Sequence, residues 1–120
     1  MTTLALKELT TGILTGGSAA SLAITADVGS AQGGSPLTSS FNVVSVCANA
    51  GDAVTLPATF REGTVIFIKN NGAASCDVFP ASGDDAGAGA NTAVAVANAK
   101  GIVFIATVAN STWATLMAGA

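Results

Sequence analysis

Two stretches of this chain, Thr64-Val-Ile-Phe-Ile-Lys69 and Gly101-Ile-Val-Phe-Ile-Ala-Thr-Val108, are continuous runs of β-branched and aromatic residues. Runs this short, bounded by turn residues, read as strands rather than helices. The first is apolar at successive positions instead of alternate ones, which predicts a strand covered on both faces. The chain after residue 40 keeps the same rhythm. Phe41-Asn-Val-Val-Ser-Val-Cys47 reads as a strand. Ala53-Val-Thr-Leu56 follows Gly51-Asp52 and stops at Pro57, and Cys76-Asp-Val-Phe79 stops at Pro80. Ala93-Val-Ala-Val96 is short and alternating, and Thr112-Trp-Ala-Thr-Leu-Met117 comes last. Turn residues separate these runs at roughly the 8–12-residue spacing of sandwiches and barrels. No stretch after Phe41 has a helical period with caps. The expected fold is all-β, a single small sandwich or jelly-roll-like barrel of about 7–8 strands.

Residues 1–40 have a different composition, rich in Thr, Ser, Gly and Ala, with a linker-like stretch from Ala31 to Ser40. Leu22 to Val28 could be a short strand, because Leu22, Ile24 and Val28 fall on even positions. Thr3 to Leu9 could be a turn of helix or an extended arm. The expected organisation is an extended N-terminal arm and loop over 1–40 and the sandwich or barrel domain over 41–120. Lys7 and Glu8 follow Leu4 and Leu6 at once, so no signal-peptide core is expected there. No window approaches the roughly 20 apolar residues of a membrane-spanning helix.

The segment Phe67-Ile-Lys-Asn-Asn-Gly-Ala-Ala-Ser-Cys-Asp-Val-Phe-Pro80 poses a local question. Asn and Gly tolerate positive φ, so Asn70-Asn71-Gly72 predicts a tight turn and a hairpin joining the strands on either side. The stretches beginning Glu62-Gly-Thr-Val and Ala99-Lys-Gly-Ile share a Gly, an apolar run with central Phe-Ile, and an Asn-bearing turn. They read as two similar hairpins, since two copies are too few for a solenoid.

The chemistry available is narrow. The chain has no His and no Tyr, which excludes Ser-His-Asp and Cys-His catalysis and removes the commonest general base. Its four cations, Lys7, Arg61, Lys69 and Lys100, are scattered, and the net charge is −3. Direct nucleic-acid binding needs clustered Lys and Arg, and so does attachment to a membrane through a basic face. Neither is expected. Cys47 and Cys76 cannot make a four-thiolate zinc site; they read as free, buried core residues, with one disulfide as the alternative.

The acidic and glycine-rich positions read as ordinary turns and connections. Asp84 and Asp85, with Asp77 upstream, could offer oxygens to calcium, but the spaced ligand set of an EF-hand is absent. Gly83, Gly87 and Gly89 lack the Gly-Lys-Ser/Thr of a phosphate loop. Asp52, Glu62 and Asp84 could be paired glycosidase carboxylates, though nothing in the sequence brings them together. Arg61-Glu62 reads as an exposed turn or an intersubunit ion pair. Trp113 reads as core or interface packing, with a sugar platform as the alternative. No catalytic, cofactor or metal residues are therefore expected, and the chain is expected not to be an enzyme.

Charged residues make up 9% of the chain, against about 25% in a typical soluble domain. A surface built from Thr, Ser, Asn, Gly and Ala suits a protein that hides much of itself in an assembly, or simply an Ala-rich one. The stretch from Asp52 to Met117 sharpens this. In order it carries Val-Thr-Leu-Pro57, Gly-Thr-Val65 before an apolar strand, Lys-Asn-Asn-Gly-Ala-Ala-Ser75, Val-Phe-Pro-Ala-Ser-Gly-Asp84, a small-residue strand, and a late Trp. This pattern resembles small β-rich structural proteins of tailed bacteriophages, above all head decoration (cement) proteins, and also tail or fibre modules. The resemblance covers a little over half the chain and carries no catalytic signature; the first forty residues lie outside it. It implies a β-rich subunit on the capsid surface of the virion, made in the host cytoplasm. It also implies self-association as a homotrimer and the major capsid protein as partner. Under it, Trp113, Phe60 and Phe79 are expected at self-association contacts. Leu4 and Leu6, in the arm, are expected to grip the capsid. A carbohydrate-binding module for adsorption is the alternative of a different class.

Overall fold

The computed structural model describes residues 20–29 and 31–118, with backbone alone at 117 and 118. Eight strands follow in chain order: β1 (Ala20–Thr25), β2 (Phe41–Val46), β3 (Ala53–Thr55), β4 (Val65–Asn70), β5 (Cys76–Phe79), β6 (Val94–Val96), β7 (Gly101–Val108) and β8 (Thr112–Ala118). They form a five-stranded sheet of order β1-β2-β4-β7-β8 and a three-stranded sheet of order β3-β5-β6. The protein is all-β, and none of the described residues is helical. Every run read as a strand after residue 40 is a strand. The expected strand near Leu22 is β1, an edge strand of the large sheet. Thr3 to Leu9, with Leu4 and Leu6, lies outside the described residues.

The core lies between the sheets. Val44, Ile66, Ile68, Ile102, Phe104 and Trp113 face inward from the large sheet, and Val54, Val78 and Val96 from the small one. Each such apolar side chain stabilises the fold by about 1.5–3 kcal/mol relative to exposure. The segment joining β1 to β2 also enters the core, through Ala26 and Leu37. It crosses to the small sheet, where Asp27 bridges Ala53 and Pro36 bridges Thr55.

That crossing is the rule for the first half of the chain. β2 lies in the large sheet, β3 in the small, β4 in the large, β5 in the small. A chain that alternates between two facing sheets returns to each in the same direction. The pairs β1–β2, β2–β4 and β3–β5 are therefore parallel. The second half then folds back antiparallel, with β7 against β4, β6 against β5 and β8 against β7.

This topology corrects the expected hairpin at Asn70-Asn71-Gly72. β4 and β5 are not paired; the segment between them is an arch from one sheet to the other. The two similar sequence stretches are accordingly different objects. The second is a true hairpin, in which Asn110 takes the left-handed conformation at φ 54°. The first is an arch, and its apolar strand β4 pairs with β7, the apolar strand of the second.

Asn70 holds the arch from inside. Its side chain is fully buried. Its Nδ2 donates to the carbonyls of Ala74 at 2.9 Å and Val96 at 2.8 Å, and its Oδ1 accepts from the Gly72 amide at 2.9 Å. Gly72 is present for space rather than for positive φ. A Cβ on it would lie 2.5 Å from the backbone nitrogen of Cys47 and 2.6 Å from its Cβ. Cys47 belongs to the preceding arch, between β2 and β3, and the two arches are laced together. The Asn71 amide donates to Val44 O at 2.9 Å, and the Ala74 amide to Cys47 O at 3.0 Å.

Gly72→Ala is expected to force these arches apart and to destabilise the protein by about 1–3 kcal/mol, the usual cost of overpacking. Asn70→Ala strands buried carbonyls and an amide, and is expected to cost about 2–3 kcal/mol. Urea titration of both variants checks this, and midpoints equal to wild type would contradict it.

Candidate functional site

The feature that stands out is the outer face of the five-stranded sheet. β4 alternates strictly, with Ile66, Ile68 and Asn70 buried and Val65, Phe67 and Lys69 half-buried. The sequence predicted cover on both faces of this strand, whereas the described residues cover only the inner one. The same holds for β7, whose Val103 and Ile105 point outward.

Register aligns these outward residues into rows. Ala20 pairs with Phe41, Phe41 with Phe67, Phe67 with Val103, and Val103 with Leu116. An apolar row thus crosses all five strands. Val65, Ile105 and Ala114 form a shorter row on one side of it, and Val43, Lys69 and Gly101 lie on the other. Phe41 is 43% exposed and Leu116 63%, which is too open for side chains serving only this chain's core. The rings of Phe41 and Phe67 lean together at 6.4 Å, a favourable aromatic spacing. A groove of about 210 Å³ runs between Phe41, Phe67, Lys69, Gly101, Val103 and Leu116. Gly101, having no side chain, forms its notch. The only charge on these rows, the Lys69 ammonium, donates to the Ala99 carbonyl, so its alkyl stem is what lines the groove. Contiguous exposed apolar surface is uncommon on a monomer.

A second cavity, of about 240 Å³, differs in chemistry. Its walls carry the hydroxyl residues Thr38, Ser39, Ser40, Thr59 and Thr64, above a floor that includes Phe60 and Ile66.

The residues expected at contacts are placed as follows. Trp113 and Phe60, expected at self-association contacts, lie instead in this chain's own core, 1% and 6% exposed. Their rings stack at 4.1 Å, and Phe104 meets Trp113 edge-on at 6.4 Å. Large aromatic surfaces bury most area when enclosed, and the hairpin turn clamps this group. Asn110 Oδ1 accepts from the Phe60 amide at 2.7 Å, and Asn110 N donates to Phe60 O at 3.1 Å. A buried Trp113 offers no face to a sugar. Phe79 is half-buried in β5. Phe41, Phe67 and Leu116 look like core residues in sequence, which hides the outer row; its signal is that Val65-Ile-Phe-Ile68 is apolar at successive positions although its burial alternates.

The acidic positions act within the fold. Asp85 Oδ1 accepts from the amides of Gly87 at 2.7 Å and Gly89 at 3.1 Å, which closes the glycine-rich loop. Asp52 Oδ2 accepts from Asn49 N at 3.1 Å at the turn before β3. Burial raises the Asp84 carboxyl above the usual range, and its Oδ2 is buried with no hydrogen-bond partner. Among the described residues, no three His, Cys, Asp or Glu side chains gather as a metal site. Glu62 is exposed beside Arg61 in the turn before β4.

Cys47 and Cys76 are free and buried, with their thiols within hydrogen-bonding reach of each other. Burial, together with the neighbouring Cys47, pushes the Cys76 thiol up to about 12, and burial also raises Cys47. Such thiols are neutral and unreactive at physiological pH.

No family model, curated protein or solved structure matches the chain.

The folded thiols hold protons that unfolded ones release, so their contribution to stability is complete below the unfolded value near 9.0 and is lost as pH rises toward about 12. Urea stability is expected to fall across that range. At pH 8 an aromatic disulfide reagent is expected to leave both thiols unmodified until the protein is unfolded. Rapid reaction of the folded protein would contradict their burial.

Proposed function

We propose that this chain is a structural subunit of a virion shell, a decoration protein that binds the outer surface of a bacteriophage head and has no catalytic role. The observation that carries the reading is the apolar face of the five-stranded sheet, left uncovered by the described residues, on a body poor in charge. An apolar sheet face open to solvent suits a protein that works by contact. The resemblance of Asp52 to Met117 to phage cement proteins supplies the setting, with the major capsid protein as partner and the capsid surface as location. Leu4 and Leu6 supply the grip on the capsid.

The mechanism is mechanical. A subunit seated over joints between capsid proteins removes surface from water at about 25 cal/mol per Å², less the cost of association. Each contact adds to the work needed to part the joint. Repeated over a symmetric shell, small increments sum to resistance against the outward pressure of packaged DNA.

A second reading has its own support. The cavity walled by Thr38, Ser39, Ser40, Thr59 and Thr64 offers hydroxyls above an apolar floor, a chemistry suited to a sugar ring. It would make the same virion subunit an adsorption aid.

Quantitative mass spectrometry of purified particles is expected to find many copies per head. Absence from the particle overturns the reading, and a few copies only would move the protein to the tail or a fibre. Binding on a glycan array that is lost in Thr59→Val would establish the second reading, and no binding to any glycan removes it.

A further inference from the structure

We infer that the outer face of the five-stranded sheet is closed by the same face of a second copy of this chain, across a twofold axis lying along the row Phe41–Phe67–Val103–Leu116. This rests on the reading of the chain as an assembly subunit and names the partner of its open face.

Charge argues for a second copy over a foreign chain. The rows around Phe67 carry one charge, Lys69, whose ammonium is held by the Ala99 carbonyl. A face without charges gives a foreign partner no electrostatic register, because specificity between different chains usually comes from complementary charge. The same face is complementary to itself. An axis along the row reverses the strand direction of the second copy, so the two Lys69 side chains go to opposite ends. They lie about 13 Å apart along the strands, at two residues of rise on each side, which exceeds the screening length of about 8 Å at physiological salt.

Shape argues for the same axis. With strands reversed and their order kept, Ile105 of the second copy stands over Gly101, because Ile105 lies two residues beyond Val103 on β7 where Gly101 lies two residues before it. Gly101 is the notch of the groove of about 210 Å³. Each copy thus inserts an Ile105 into the other's notch, a reciprocal contact that only a twofold arrangement provides.

Area sets the strength. β1 and β2 begin at the row, so the overlap about this axis is carried by β4, β7 and β8, which extend to both sides of it. Three strands at about 4.8 Å and five residues at about 3.3 Å give roughly 14 by 17 Å per face, the size of a weak contact formed at high concentration. A homotrimer would need two different patches on each copy, and this face is one flat patch.

The test is the mass of the isolated full-length protein by sedimentation velocity and light scattering, from about 1 to 200 µM. Wild type is expected to be a dimer at the upper end. Leu116→Lys, at an exposed position, and Gly101→Val, which fills the notch without adding charge, are each expected to weaken dimerisation at least 10-fold. Val28→Lys, equally exposed but in a turn away from the face, is expected to leave it unchanged. Far-UV circular dichroism and the urea midpoint identify any variant that has lost its fold. Such a variant is replaced by Ile105→Ala, which removes the inserted side chain and is expected to weaken the dimer in the same way. A monomer throughout the range, a trimer, or a dimer indifferent to these substitutions overturns the inference. A wild-type monomer that is nonetheless abundant in particles overturns the second copy as partner and leaves the structural role standing. Absence from particles strikes the structural role instead.

Discussion

The structure depends on the close passage of two arches. Gly72 approaches the backbone of Cys47 more nearly than any side chain would permit, and Asn70 ties its own arch to Ala74 and to Val96 on β6. These contacts set the separation and alignment of the two sheets at one end of the sandwich. The amides of Asn71 and Ala74 reach across to the preceding arch, so its carbonyls are satisfied by the next passage of chain. Cys47 and Gly72 are buried where the arches cross, and buried backbone polar groups must find protein partners. Replacing Gly72 or Asn70 therefore disturbs both arches.

From that constraint the sheet face follows. Alternation between sheets stacks β2 beside β4 and sends their side chains inward and outward in register. The inward rows meet the small sheet and become the core. The outward rows meet nothing among the described residues. Three strands are too few to cover more than one side of five, and no described helix packs on the other. The open apolar face is thus a consequence of the topology together with the composition of β4 and β7.

Strand positions were legible in the sequence because Pro57, Pro80 and paired turn residues cut the chain at the strand ends. The core was legible in part. Trp113 was expected at core or interface, and the structure places it in the core, stacked on Phe60. Connectivity was not legible. Asn70-Asn71-Gly72 and Val108-Ala-Asn-Ser111 look alike as turn sequences, yet the first spans two sheets and the second joins neighbours. The difference lies in what surrounds each. Asn70 points into the interior and finds carbonyls there, whereas Asn110 turns out into the left-handed region and clips Phe60. Local sequence records a preference for bending; the rest of the chain decides which bend. The outer row was hidden for a related reason, since an apolar residue in a strand does not announce which face will be covered.

The scarcity of charge on that face has a kinetic side. Molecules that meet through opposed charges are drawn together from a distance and partly oriented before they touch, which raises association rates well above an unsteered 10⁵–10⁶ M⁻¹s⁻¹ or so. A face that carries one tethered ammonium exerts almost no such pull. Its encounters are governed by diffusion and local crowding, and salt changes them little. Whatever permanence the contact has must come from slow departure, as apolar surface returns to water. A molecule built this way is suited to settings where its partners are already dense, such as a lattice, and poorly suited to finding a rare target in dilute solution.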